Sequence, residues 1–205
     1  MFRSSRRDVV FPQAEHARLA GAIALAWGNE RFARPPVPFD AFVRGVTLHD
    51  RGYGQLDADG IGEVSPARWL EIQWAGFAPR GEEPVVDLVV ALHVHRLVGG
   101  RDAGMTAALP ELRRAAGVEE SDAAEADRIT NLCDRVAFDF CVEEPASGRA
   151  AGIDYAVDGY GGITLEPWPL GPSSVGGIIL GFSAKGYPDV LEPVVVPFDV
   201  RPSQM

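Results

Sequence analysis

The chain has 205 residues, 46% of them hydrophobic and 23% charged, with a formal net charge of −10. A chain of this length can bury a full core and suits one domain with an appendage. The acidic balance, with Lys185 as the single lysine, argues against a surface built to grip nucleic-acid backbone. No apolar run reaches the ~18–20 residues that cross a bilayer.

The opening Met-Phe-Arg-Ser-Ser-Arg-Arg-Asp is basic but has no apolar stretch behind it, so no secretory signal is expected. Residues 13–28 read as an amphipathic helix, with His16, Leu19, Ala20, Ile23 and Trp27 on one stripe and Gly28-Asn29 as its stop. After Pro35-Pro36-Val37-Pro38, Asp40 is placed to cap a second helix. Its stripe runs Phe39, Phe42, Val43, Val46, His49 and Asp50, and it ends at the Gly52 and Gly54 turn.

Residues 55–64 read as a polar loop. Ser65-Pro66 is an N-cap and first-turn pair for a helix holding Trp69, Leu70 and Trp74. Residues 84–98 carry many β-branched side chains, but their length and the spacing of Val86, Val89, Val90, His93 and Leu97 favour a buried helix. A short helix is expected over 110–116, with Pro110 in its first turn. Residues 121–142 give the longest periodic stretch, lined by Ile129, Leu132, Cys133, Val136, Ala137 and Phe140. Beyond Glu144, β-type runs at 163–166, 175–182 and 194–200 predict three strands. The two cysteines, eight positions apart on one helix, would stand roughly 12 Å apart, beyond the reach of about 7 Å between disulfide Cα atoms. Reduced thiols and a cytoplasmic location are therefore expected.

Chemistry concentrates on the histidines. His16 lies on an apolar stripe, where a hydrogen-bonded core imidazole is the ordinary explanation. His49-Asp50, at a helix end before a glycine turn, offers nitrogen and oxygen to one ion, a pairing that suits a divalent transition metal. Asp134 is a carboxylate among core positions, expensive unless paired or coordinated. Asp139, five residues further on, should face elsewhere. His93 and His95, two apart, point in different directions; His93 shares the Val86–Val89–Leu97 face. No nucleophile elbow surrounds any serine, and no electropositive setting surrounds either cysteine.

Taken in order, His16, His49-Asp50 and Asp134 resemble the HD superfamily of metal-dependent phosphohydrolases. The likeness is greater to a bacterial branch of unknown function. Gln13, His16, Trp27 and Gly28 match its first motif, and His49, Asp50, Gly52, Tyr53 and Asp57 its second. Ala91 with His93 matches the third, and Leu132-Cys133-Asp134-Arg135-Val136-Ala137 the fourth. Departures are Arg51 after the His-Asp pair, Tyr53 in place of Trp, and Ala91 and Ala137 where serine is usual.

The resemblance implies a mainly α protein: an HD-like helical bundle over 1–144 with a small β-rich extension over 145–205. It implies a divalent metal ion held by His16, His49, Asp50 and Asp134. Asp50 would also orient water, His93 would protonate a leaving group with His95 as the fallback, and Arg51 and His95 would contact the substrate. The expected reaction is hydrolysis of a small phosphorylated metabolite or nucleotide. A di-iron oxygenase, with His93 and His95 or else Asp139 as added ligands, is one alternative; a non-catalytic ligand-binding or scaffold protein is another. The expected partner is a small anionic molecule, not nucleic acid or membrane, with a homodimer left open.

Overall fold

Helical stripes in the sequence become six α-helices in the structure, a computed structural model that describes residues 1–54, 57, 63–81, 83–142 and 146–203. The first, α1 (Gln13–Leu25), buries His16, Leu19, Ala20 and Ile23 on its expected face. The second, α2 (Phe39–Thr47), starts directly after Pro38, so Asp40 sits in the first turn and does not cap it. There its charge complements the positive end of the helix dipole. A short 3-10 turn follows over Arg51–Tyr53. Most of the loop read over 55–64 lies outside the described residues.

Helix α3 (Pro66–Phe77) opens as the sequence suggests: Ser65 Oγ accepts from the Arg68 backbone N–H at 3.2 Å, with Pro66 in the first turn. Helix α4 (Pro84–Leu97) is buried nearly all round, which is why its sequence carries apolar residues on every face. Helix α5 (Ala103–Ala116) is twice the expected length. Asp102 caps it by accepting from Met105 N–H at 2.9 Å, and Pro110 falls in its middle. Helix α6 (Glu120–Val142) spans 23 residues. Among the described residues, no helix is long and apolar enough to cross a membrane.

The mainly α bundle with a small β extension is corrected by the sheet. The described residues are 46% helix and 21% strand, with seven strands in one curled half-barrel. They are β1 (Phe2–Arg3), β2 (Val9–Phe11), β3 (Ala146–Ala150), β4 (Ile153–Val157), β5 (Gly162–Glu166), β6 (Val175–Ser183) and β7 (Pro193–Pro202), in the order β1-β2-β6-β7-β5-β4-β3. Neighbours run antiparallel except β5 and β7. The mainly α expectation failed because four strands went unread: β3 and β4, and β1 and β2 from residues 1–11, too short to show alternation, which join the C-terminal set through Val9↔Ser183 and Val10↔Phe182.

Helices and sheet share one core. Leu19, Phe42, Val86, Leu132 and Phe140 from the helices pack in the same cluster as Phe11, Ile153, Ile163 and Val196 from the strands. Burial of this kind contributes about 25 cal/mol per Å² of apolar surface, and it presses α1, α2, α4 and α6 together. The site lies between those four helices.

Candidate metal centre

Helices α1, α4 and α6 each contribute one residue, and the turn after α2 contributes two. His16 lies one turn into α1, His49 and Asp50 follow the end of α2, His93 is on α4 and Asp134 on α6. The turn after α2 is held close to α3: a Cβ on Gly52 would stand 2.2 Å from the Ile72 carbonyl oxygen. His49 Nδ1 lies 2.7 Å from the Val46 carbonyl oxygen. Nδ1 therefore carries a proton and donates, so Nε2 is the nitrogen that faces the cluster.

The facing atoms are close. His16 Nε2 stands 3.0 Å from His49 Nε2 and 3.2 Å from Asp134 Oδ1. Asp50 Oδ2 is 3.5 Å from both His16 Nε2 and His49 Nε2, and Asp134 Oδ1 is 3.5 Å from His49 Nε2. An ion about 2.1 Å from nitrogen or oxygen ligands spaces neighbouring ligands by about 3.0 Å at right angles and about 3.4 Å in a tetrahedron. The five separations of 3.0–3.5 Å fall across that range, so the donor set fits a divalent cation. His16, His49 and Asp134 form one buried group able to hold an ion, and His49, Asp50 and His93 another.

The two groups share His49, which has a single free nitrogen and can serve one ion only. His93 is different again. Arg96 Nη2 lies 3.1 Å from His93 Nδ1, and a guanidinium can only donate. The His93 proton is thereby fixed on Nε2, 3.4 Å from Asp50 Oδ1. His93 Nε2 and His16 Nδ1 are buried without a hydrogen-bond partner.

Burial alone would lower the His49 pKa, yet the carboxylates of Asp50 and Asp134 reverse this and raise it from 6.5 to about 9. Burial lowers the His93 pKa, and the charge on His49 adds to it. Burial would raise Asp50 and Asp134, but the surrounding imidazoles hold Asp50 below its ordinary value and Asp134 well below. Two ionised carboxylates buried among imidazoles make a cation trap. Tyr53, on the cavity wall, is pushed up to about 12 by burial and then by Asp50, so it stays a phenol.

Two residues expected to contact substrate have partners within the fold. Arg51 turns into the protein: its guanidinium donates to Asp87 Oδ1 at 2.8 Å, Gly76 O at 3.0 Å and Ala78 O at 2.8 Å. Every arm of the fork is used within the fold. His95 faces α5, with Nε2 3.0 Å from Thr106 Oγ1, because two positions along a helix rotate it away from His93. Asp139 also faces elsewhere, accepting from Tyr155 O–H at 2.8 Å. Asp57 accepts from the Gln13 backbone N–H at 3.0 Å and pairs with the Met1 amino group.

Sequence reasoning missed Arg96. Besides His93, it reaches Asn131 Oδ1 at 2.9 Å, Asp127 Oδ1 at 3.2 Å and Asp134 Oδ2 at 3.5 Å. Its spacing from His93, three residues on the same helix, was the available signal. Above the cluster opens a cavity of about 460 Å³ whose floor includes His16, Asp50, His93 and Asp134.

A family model described as "Protein of unknown function (DUF3891)" matches residues 2–69. That stretch carries His16, His49 and Asp50 but ends before His93 and Asp134, and the match does not connect the chain with the HD superfamily. No curated protein and no solved structure matches the chain.

Proposed function

We propose that this chain is a metal-dependent hydrolase of HD type that holds one divalent ion with His16, His49, Asp50 and Asp134 and acts on a small phosphorylated molecule. The observation that carries this reading is the set of five ligand-to-ligand separations of 3.0–3.5 Å drawn from three separate segments. Mixed imidazole and carboxylate donors suit manganese, iron, cobalt, nickel or zinc. Such an ion supplies activation of water near neutral pH and polarises a phosphoryl oxygen.

The protein's own groups supply the rest. His93, a neutral imidazole with its one proton on Nε2, can donate a hydrogen bond from that nitrogen to a leaving-group oxygen. Asp50, with Oδ2 toward the imidazoles and Oδ1 toward His93, holds both in register. Both cysteines are buried thiols outside any disulfide, which supports a reducing, cytoplasmic setting. The acidic composition supports a small-molecule partner over nucleic acid.

The di-iron oxygenase reading draws less support. His49 has one free nitrogen, the Arg96 guanidinium occupies His93 Nδ1, and His95 faces α5. Elemental analysis of purified protein and a phosphatase substrate panel test the proposal together. One ion per chain, lost in His49→Ala along with phosphatase activity, is the expected result. Active protein free of metal would reject it.

A further inference from the structure

The cavity over the cluster has a wall chemistry that the hydrolase reading leaves unused. Phe2, Trp69, Leu97 and Phe138 are among its apolar lining, and among the described residues no lysine or arginine side chain lines it. Its volume of about 460 Å³ is in the range of sites that enclose most of a small organic molecule. Leu97 and Phe138 are 40% and 39% exposed, which places apolar surface at the mouth, where no core requires it.

One polar atom stands out in this wall. Gln13 is 2% exposed, lines the cavity, and its Oε1 has no hydrogen-bond partner. A buried amide oxygen left without a donor keeps its desolvation cost uncompensated. It can only accept, so it calls for an N–H or O–H from whatever fills the space.

We propose that the substrate is a phosphate ester whose organic part is an apolar ring carrying a hydrogen-bond donor: the ring fills the space between Trp69, Leu97 and Phe138, and the donor meets Gln13 Oε1. The inference rests on the hydrolase reading and narrows it. A nucleotide fits poorly, because ribose hydroxyls and further phosphates would be desolvated against these walls without partners.

The test uses full-length protein loaded with manganese and three non-hydrolysable probes followed by calorimetry. These are methylphosphonate, phenylphosphonate and the hydroxyphenylphosphonate isomers; adenosine 5′-monophosphate serves as the rival ligand. Phenylphosphonate should bind at least about tenfold tighter than methylphosphonate, as burial of most of one ring allows. Phe138→Ala and Leu97→Ala, both half-exposed positions, should shrink that ratio while metal content stays at one ion per chain. One hydroxyphenyl isomer should bind tighter still, and Gln13→Leu should remove that gain only.

Bound manganese with no ring preference, or adenosine monophosphate binding tighter than phenylphosphonate, overturns the inference and leaves the hydrolase standing. A ring preference with no isomer gaining over phenyl removes the donor at Gln13. Protein that takes up no manganese and no phosphonate removes both proposals.

Discussion

Arg96 donates to Nδ1 of His93 across 3.1 Å, three residues back on the same helix. The same guanidinium is surrounded by the side-chain oxygens of Asn131, Asp127 and Asp134. A nitrogen and three oxygens around a fixed positive charge resemble the shell of a metal ion, with arginine standing in its place. Arg96→Met should therefore raise the manganese content from one ion per chain toward two when the metal is in excess. A content that stays at one would show that the guanidinium is not filling a cation position.

The ion should also support the fold. Manganese or zinc at a hundred times its dissociation constant adds about 2.7 kcal/mol to stability. For a chain of this length that raises Tm by roughly 5–11 °C. The shift should vanish on chelation and be absent in His49→Ala and Asp134→Asn. A melting curve indifferent to metal would count against the site.

Metal uptake should release a proton. His49 in the metal-free protein has its pKa raised from 6.5 to about 9, so between those values it must lose its Nε2 proton to bind an ion. Apparent affinity should climb about tenfold per pH unit in this window and level off above it. In the metal-free protein the same pairing contributes stability that is fully present below pH 6.5 and fades as pH rises through about 9. The lowered Asp50 and Asp134 act in the opposite direction, supporting the fold above ordinary carboxylate values and losing that support in acid. Calorimetry in buffers of different ionisation enthalpy measures the proton count, and a count of zero at pH 7 would refute this assignment of His49.

Arg51→Ala should cost stability and spare the site. Removing it strands Asp87, which is 4% exposed, and breaking a buried ion pair typically costs about 3–5 kcal/mol. Urea unfolding should register the loss, while the surviving folded protein keeps its metal. Full stability with weakened phosphonate binding would return Arg51 to the substrate.

Gly52→Ala should disturb the ligands from outside. The added methyl would meet the Ile72 carbonyl oxygen at 2.2 Å, a backbone atom that cannot step aside. Overpacking of this kind costs typically 1–3 kcal/mol, and here it pushes on the turn bearing His49 and Asp50. Metal affinity should fall more than for Gly54→Ala, where the φ of +81° strains the backbone but a methyl meets nothing within 4 Å. Equal effects would show that α3 does not hold the turn.

What the sequence disclosed follows from the range of each interaction. The stripes of α1, α2 and α6 are local patterns and stand in the chain for anyone counting by three and four. His16, His49, Asp50 and Asp134 stood out as polar groups on those apolar faces. Their convergence depends on four helices packing, and only the resemblance pointed to it. The partner of Arg51 lies 36 residues away at Asp87, and no local pattern could separate that pairing from a role in binding substrate. Strand β4 alternates cleanly, with Ile153, Tyr155 and Val157 buried, yet it was hidden in a glycine-rich stretch. Strands β1 and β2 have two and three residues, fewer than a period-two signal needs.

The pairing of β2 with β6 also sets an order of events at the ribosome. Val10 must wait for Phe182 to be made before its ladder can close, and Glu15, the neighbour of His16, accepts a hydrogen bond from the Leu180 backbone N–H at 3.0 Å. A nascent chain halted anywhere before that strand has an α1 without its backing. A metal site resting on α1 would thus gain its full support only once β6 has been made.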